Sequence, residues 1–80
     1  MHITVRLLAS YRQYLPPDHD EEAGYTYQVA LGARVGDVLA TLPIPRGDFY
    51  TFLVNGRHVA GDQVLQEGDL LSIFPAAGGG

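Results

Sequence analysis

Residues 68–80 read GDLLSIFPAAGGG, and the first half of that stretch decides the fold. Gly68-Asp69 reads as a turn into an extended run. Leu71 and Ile73 then fall on one side of the chain, with Leu70, Ser72 and Phe74 on the other. Pro75 has no N–H for a ladder, so it closes the run. The spacing predicts a last strand over 70–74. The same alternation stands at the other end of the chain. In HITVRLL, residues 2–8, Ile3, Val5 and Leu7 share one face, and His2, Thr4 and Arg6 share the other.

Between these strands the period changes. SYRQYLPP, residues 10–17, is short and aromatic, fits one helical turn, and is ended by Pro16-Pro17. DHDEE, 18–22, reads as a solvated loop. GYTYQVAL, 24–31, alternates again, placing Tyr25, Tyr27, Val29 and Leu31 on one face of a strand antiparallel to the first. Val35, Val38, Leu39 and Leu42 fall at i, i+3, i+4 and i+7, which predicts a helix over about 34–42. Asp37 sits in its first turn, where a carboxylate suits the exposed N–H groups, and Pro43 stops it. FYTFLV, 49–54, is a third strand. Asn55-Gly56 tolerates the positive φ values of a tight hairpin, and Arg57–Val59 returns as a short strand. Residues 61–68 are irregular, with Leu65 turned into the core.

The expected fold is α+β: a mixed sheet of four to five strands packed on one main helix. In a β-grasp the first and last strands lie parallel in the middle of such a sheet, which suits the apolar ends of this chain. Residues 1–75 form the expected domain and 76–80 a Gly-rich tail. The expected core joins Val35, Val38, Leu39 and Leu42 to Ile3, Val5, Val29, Leu65, Leu71 and Ile73.

Composition narrows the function. A chain of 80 residues holds one domain at most. With no cysteine there is no disulfide framework, thiolate site or cysteine nucleophile. Nine acids face five bases, all arginine and all scattered, so there is no basic stripe for a nucleic acid. No apolar run approaches the ~20 residues of a membrane span. Nothing resembles a signal peptide, and a cytoplasmic location is expected. His2, His19 and His58 are dispersed, and the Asp18–Glu22 run lacks the geometry of a cation loop, so no metal site is expected. No acid–base or nucleophile arrangement is legible, so the chain alone is not expected to be catalytic. An acidic surface suits protein partners that carry basic ones. The absence of lysine leaves no ε-amine to be acylated on the chain's own surface.

The second half of the opening stretch carries chemistry. Pro75 to Gly80 reach at most ~20 Å. Gly78, Gly79 and Gly80 have no Cβ, so they fit a slot too narrow for any side chain. Chain ends are often loosely held, and three glycines alone would mean no more than that. The body changes the weight. FLVNGRHV (52–59), ARVGDVLATL (33–42), LQEGDLLSIFPAAGGG (65–80) and HITVRLLASYRQYL at the start resemble the MoaD/ThiS family of ubiquitin-like sulfur carriers. The resemblance covers nearly the whole chain. Phe74-Pro75 and the chain length lean toward the MoaD branch; Ala76 stands where MoaD-like tails commonly have a second proline, and the triple glycine is more usual among ThiS-like chains.

The resemblance implies that a ubiquitin-activating-type enzyme spends ATP to adenylate Gly80. A sulfur donor then converts the adduct to a thiocarboxylate, with Gly79 and Gly78 providing access. The sulfur passes to a precursor held by a second protein, such as the large subunit of a molybdopterin synthase, or to the thiazole of thiamine in the ThiS branch. A ubiquitin-like protein modifier or a plain β-grasp interaction module is the alternative of a different class. The chain is expected to bind no cofactor of its own. Phe74 and Leu70 face away from the core by alternation and, with Pro75, form the expected partner-binding patch beside the tail.

Overall fold

The computed structural model describes residues 1–14, 24–42, 44 and 50–75. Five strands are present: β1 (His2–Leu7), β2 (Tyr25–Gln28), β3 (Tyr50–Val54), β4 (Arg57–His58) and β5 (Leu70–Pro75). A 3₁₀ helix spans Ala9–Tyr14, and one α-helix, α1, spans Val35–Leu39. The sheet runs β2-β1-β5-β3-β4. β1 and β5 are parallel neighbours at its centre, in register Thr4↔Leu70, Val5↔Leu71, Arg6↔Ser72 and Leu7↔Ile73. The flanking pairs β1–β2, β5–β3 and β3–β4 are antiparallel.

The inner face is built as the alternation requires. Val5, Leu7, Leu71 and Ile73 are fully excluded from solvent, and Ile3, Val35, Val38, Leu42 and Leu65 close around them. Tyr11, Ile44 and Val54 complete the buried cluster, although the helical stripe and the strand ends do not point to them. Val29 and Leu39, expected in the core, pack against it half-buried.

α1 is shorter than the 34–42 expected. At its start the Asp37 carboxylate accepts the Arg34 backbone N–H at 2.9 Å, a cap from within the first turn. The Val35 and Gly36 N–H groups, orphans at a helix start, donate to Gln63 O at 3.0 Å and Gly61 O at 2.8 Å. Leu65 N–H donates in turn to Ala33 O at 2.8 Å. The irregular 61–65 segment is thus held by the helix, which seats Leu65. At the other end Thr41 N–H donates to Val38 O at 3.0 Å and Leu42 N–H to Leu39 O at 3.1 Å, both i to i−3 bonds. The chain tightens to 3₁₀ geometry ahead of Pro43, while Leu42 still reaches the core.

β2 is shorter than expected too. The chain leaves the sheet after Val29, whose N–H donates to Met1 O at 2.8 Å. A turn closed by Ala33 N–H to Ala30 O at 3.1 Å follows, with Gly32 at φ +83°. Leu31, expected to share the face of Tyr27, is instead 85 % exposed. The turn breaks the two-residue period one rung before Leu31. At the far end, Pro75 stands opposite Tyr50 as the last residue of β5, so the strand runs one residue beyond 70–74. An end position needs no N–H from proline.

Among the described residues no helix is long and apolar enough to cross a membrane.

Leu71→Ala should destabilise the chain by about 2–5 kcal/mol, as large-to-small changes at sealed core sites do. Leu31→Ala should stay within about 0.5 kcal/mol. The two urea-unfolding midpoints check both, and equal losses would contradict the register of β5 and the exit of the chain after β2.

Candidate functional site

The site is the carboxyl end of β5 and the outer sheet face beside it. Its position is fixed first at the start of the strand. Asn55 and Gly56 take φ values of +53° and +84°, the hairpin turn that joins β3 to β4. Asn55 then does more than turn the chain. Its Oδ1 accepts the Leu70 N–H at 2.9 Å, its own N–H donates to Leu70 O at 2.9 Å, and its Nδ2 donates to Asp69 Oδ1 at 2.9 Å. The other carboxylate oxygen of Asp69 accepts the Gln66 N–H at 2.8 Å. From the opposite side Thr4 N–H donates to Asp69 O at 2.9 Å. The hairpin and β1 therefore clamp the first residue of β5 between them.

At the exit, Leu8 N–H donates to Ile73 O at 2.9 Å, and Tyr50 faces Pro75 across the ladder. Below lies an aromatic chain. Ring centroids are 6.1 Å apart for Tyr11–Tyr14, 6.0 Å for Tyr11–Tyr50 and 5.9 Å for Tyr50–Phe52. Such spacings suit tilted ring contacts. Tyr11 and Tyr14 meet because residues three apart eclipse in a 3₁₀ helix. Tyr11 and Tyr14 thus join the ring of Tyr50, which pairs with the last residue of β5.

The outer face of β5 follows the alternation. Leu70 and Phe74 lie on it, and Pro75 follows opposite Tyr50; all three are half-buried rather than exposed. Ser72 between them is only 6 % exposed. β5 is central, so side chains on both neighbouring strands cover it: Arg6 stands beside Ser72 on β1 and Leu53 beside it on β3. Leu53 and Leu8, both half-buried, extend the apolar surface. Alternation alone could have flagged Leu53, as it did Leu70. Gly78, Gly79 and Gly80 lie outside the described residues, as does the Asp18–Glu22 run.

Among the described residues, no group of three or more His, Asp or Glu side chains could hold a metal ion. Two open grooves, of about 480 and 610 Å³, lie beside Tyr27, Leu31 and Val38 and beside His58, Val64 and Gln66. Neither is lined by Leu70, Phe74 or Pro75. The end of β5 presents a surface and an outgoing chain.

The ThiS family model matches residues 5–80, which takes in the clamp, the outer face and the glycines. The chain belongs to the ThiS family. No curated protein matches it. Two solved structures share the fold of this ThiS-family chain at 22 % identity, each with a TM-score of 0.73. One is SAMP1, small archaeal modifier protein 1, from Haloferax volcanii, with 100 % of both chains covered. The other, from Pyrococcus furiosus, is described as molybdopterin converting factor subunit 1, with 95 % of this chain and 98 % of that one covered. Both likenesses establish the β-grasp, ubiquitin-like fold.

For this ThiS-family chain, Asn55→Gly keeps the turn and removes the side-chain bonds to Leu70 and Asp69. Asn55→Ala removes the bonds and also strains the turn. Net hydrogen-bond contributions near 1 kcal/mol and a left-handed cost of about 1–2 kcal/mol predict losses of about 1–2 and about 2–4 kcal/mol. Chemical denaturation of both variants checks the order, and a harmless Asn55→Ala would mean that the clamp holds nothing.

Proposed function

We propose that the chain is a sulfur carrier of molybdenum or tungsten cofactor (molybdopterin) biosynthesis, with Gly80 as its reactive residue. The observation that carries the reading is the family match through residue 80, which brings the glycine run within a ThiS-family sequence. In the proposed cycle the Gly80 carboxylate attacks the α-phosphorus of ATP on a partner enzyme, giving the acyl-adenylate and pyrophosphate. A sulfide-level nucleophile attacks the acyl carbon and AMP leaves, with no change in the oxidation state of the carbon. In the large subunit of an acceptor synthase the thiocarboxylate sulfur attacks a precursor carbon and displaces a leaving group, and water then cleaves the acyl–sulfur bond to return the Gly80 carboxylate.

The chain's own residues do three things in this cycle. β5 aims the tail, and the clamp at Asn55 and Asp69 sets where it leaves the body. Gly78 and Gly79 let an active site close around the acyl group. Leu70, Phe74 and Pro75 give the partner something to hold outside its catalytic slot. ATP belongs to the partner enzyme. Phe74-Pro75 and the likeness to the P. furiosus protein favour the pterin branch over thiazole synthesis. The likeness to SAMP1 favours a second reading, in which Gly80 forms amide bonds with protein lysines.

An ATP-dependent assay with the cognate adenylating enzyme, read as sulfur incorporated per chain, tests the proposal. Deleting Gly80 should abolish incorporation. It withdraws the reactive carbonyl by ~3.3–3.6 Å, where a ~1 Å misplacement already costs on the order of 10²-fold. Gly79→Ala should impair it, and Gly78→Ala should be mild. Activation of the Gly80 deletion at the full rate ends the sulfur-carrier reading. Intact mass of chain taken from its native host separates the two readings: oxygen-for-sulfur exchange marks the carrier, lysine adducts the modifier.

Phe74→Asp should weaken binding of the adenylating enzyme and leave cooperative unfolding in place, because the ring lies outside the inner core cluster. Unchanged affinity would move the docking surface elsewhere.

A further inference from the structure

Arg6 stands near the middle of the outer face, and its Nε is buried without a hydrogen-bond partner. Its stem is held in place. A Cβ on Gly24 would lie 2.7 Å from Arg6 Cγ and 2.7 Å from Val5 O, and Gly24 sits at φ +79°, so only glycine leaves room there. The described residues that share the face offer no carboxylate. Thr4 on β1 and Leu8 just beyond it flank Arg6 along the chain, Ser72 lies beside it on β5, and Leu70 and Phe74 flank Ser72. Among the described residues, the acids on the adjoining sheet rim are engaged. Asp69 is held by Asn55 and Gln66, and Glu67 Oε1 accepts the His2 N–H at 3.0 Å. In a chain with a net charge of −4, a cation has been kept where no acid on the described surface answers it.

A buried donor with no partner destabilises the free chain. Replacing water around a guanidinium with apolar side chains adds to that, unless a counter-charge arrives. The shape of the group says what should arrive. Guanidinium is a planar fork that matches a carboxylate through two parallel hydrogen bonds, and Arg is enriched at the centres of protein interfaces. We propose that Arg6 is the receptor for one Asp or Glu carboxylate of the protein that docks on this face. That carboxylate would be framed by apolar side chains meeting Leu8, Leu53, Leu70 and Phe74. Arg6 then acts as a specificity determinant: an apolar surface without the acid leaves the guanidinium buried and unpaired, and is rejected. The inference rests on the docking role proposed for Phe74 and adds the chemistry that chooses the partner.

The test uses the full chain and the cognate adenylating enzyme as probe. Arg6→Met keeps the stem against Gly24 and removes the fork. It should leave the urea midpoint of the free chain unchanged or higher, and weaken binding by about thirtyfold or more, as loss of one member of a buried charge pair does. Arg6→Lys keeps the charge without the fork and should fall between. Arg6→Glu should bind worst, and one Asp→Arg or Glu→Arg change on the enzyme should restore it. Arg6→Met binding like wild type, while Phe74→Asp binds weakly, overturns this inference and spares the docking reading. Loss of stability in Arg6→Met with unchanged affinity makes Arg6 a structural residue and overturns it too. Wild-type affinity in Phe74→Asp and Arg6→Met together overturns both.

Discussion

Everything in this chain hangs on the parallel contact between its first and last strands. Val5, Leu7, Leu71 and Ile73 form the seam and are fully buried. Parallel strands need cover on the inner face, and α1, Leu42 and Leu65 supply it there. The seam also makes the sheet central at both chain ends, which leaves β2 and β4 as the short edges. Four- and two-residue edges offer little ladder to a stray strand. The segment that carries the proposed chemistry therefore emerges from the most buried strand of the molecule.

That arrangement joins two opposite demands. In the proposed cycle the tail would need freedom to enter another protein, whereas the surface that orients that protein would need rigidity. β5 divides the two within a few residues. Its start is clamped by Asn55 and Asp69, its middle is sealed by β1 and β3, and its end rests above the rings of Tyr50, Tyr11 and Phe52. Leu70 and Phe74 share the rigid part, so a partner that grips them knows where the chain leaves the sheet. Ser72 between them is buried, with Arg6 beside it on β1 and Leu53 beside it on β3.

Much of this is legible in the sequence because local pattern and tertiary role agree. The alternation in 2–8 and 70–74, the Asn55-Gly56 turn and the i, i+3, i+4 stripe of Val35, Val38 and Leu39 each depend on near neighbours. Leu31 escapes because a period cannot show where a strand leaves its sheet; the turn at Gly32 is decided by closure onto Ala30. The stripe overstates the length of α1 because Leu42 keeps its core contact after the backbone has tightened to 3₁₀. Tyr11 is buried in part by Tyr50, which reaches it from far along the chain. For the candidate site, alternation places Leu70 and Phe74 on the outer face, but their half-burial depends on being in a central strand. That Arg6 Nε is buried without a partner, with no carboxylate among the described residues of its face, is a matter of three-dimensional surroundings that no sequence period shows.

The parallel seam has a mechanical side. β1 begins at the amino end and β5 finishes at the carboxyl end, and they run the same way. Tension between the two ends therefore pulls the strands past one another instead of peeling them apart. In that geometry the four rungs from Thr4↔Leu70 to Leu7↔Ile73 bear the load together, with the bonds lying largely across the pull. An antiparallel pairing loaded from its open end would release one rung at a time. Under the proposed role, a pull on the carboxyl end would reach the body through this seam, in the direction in which its rungs act together.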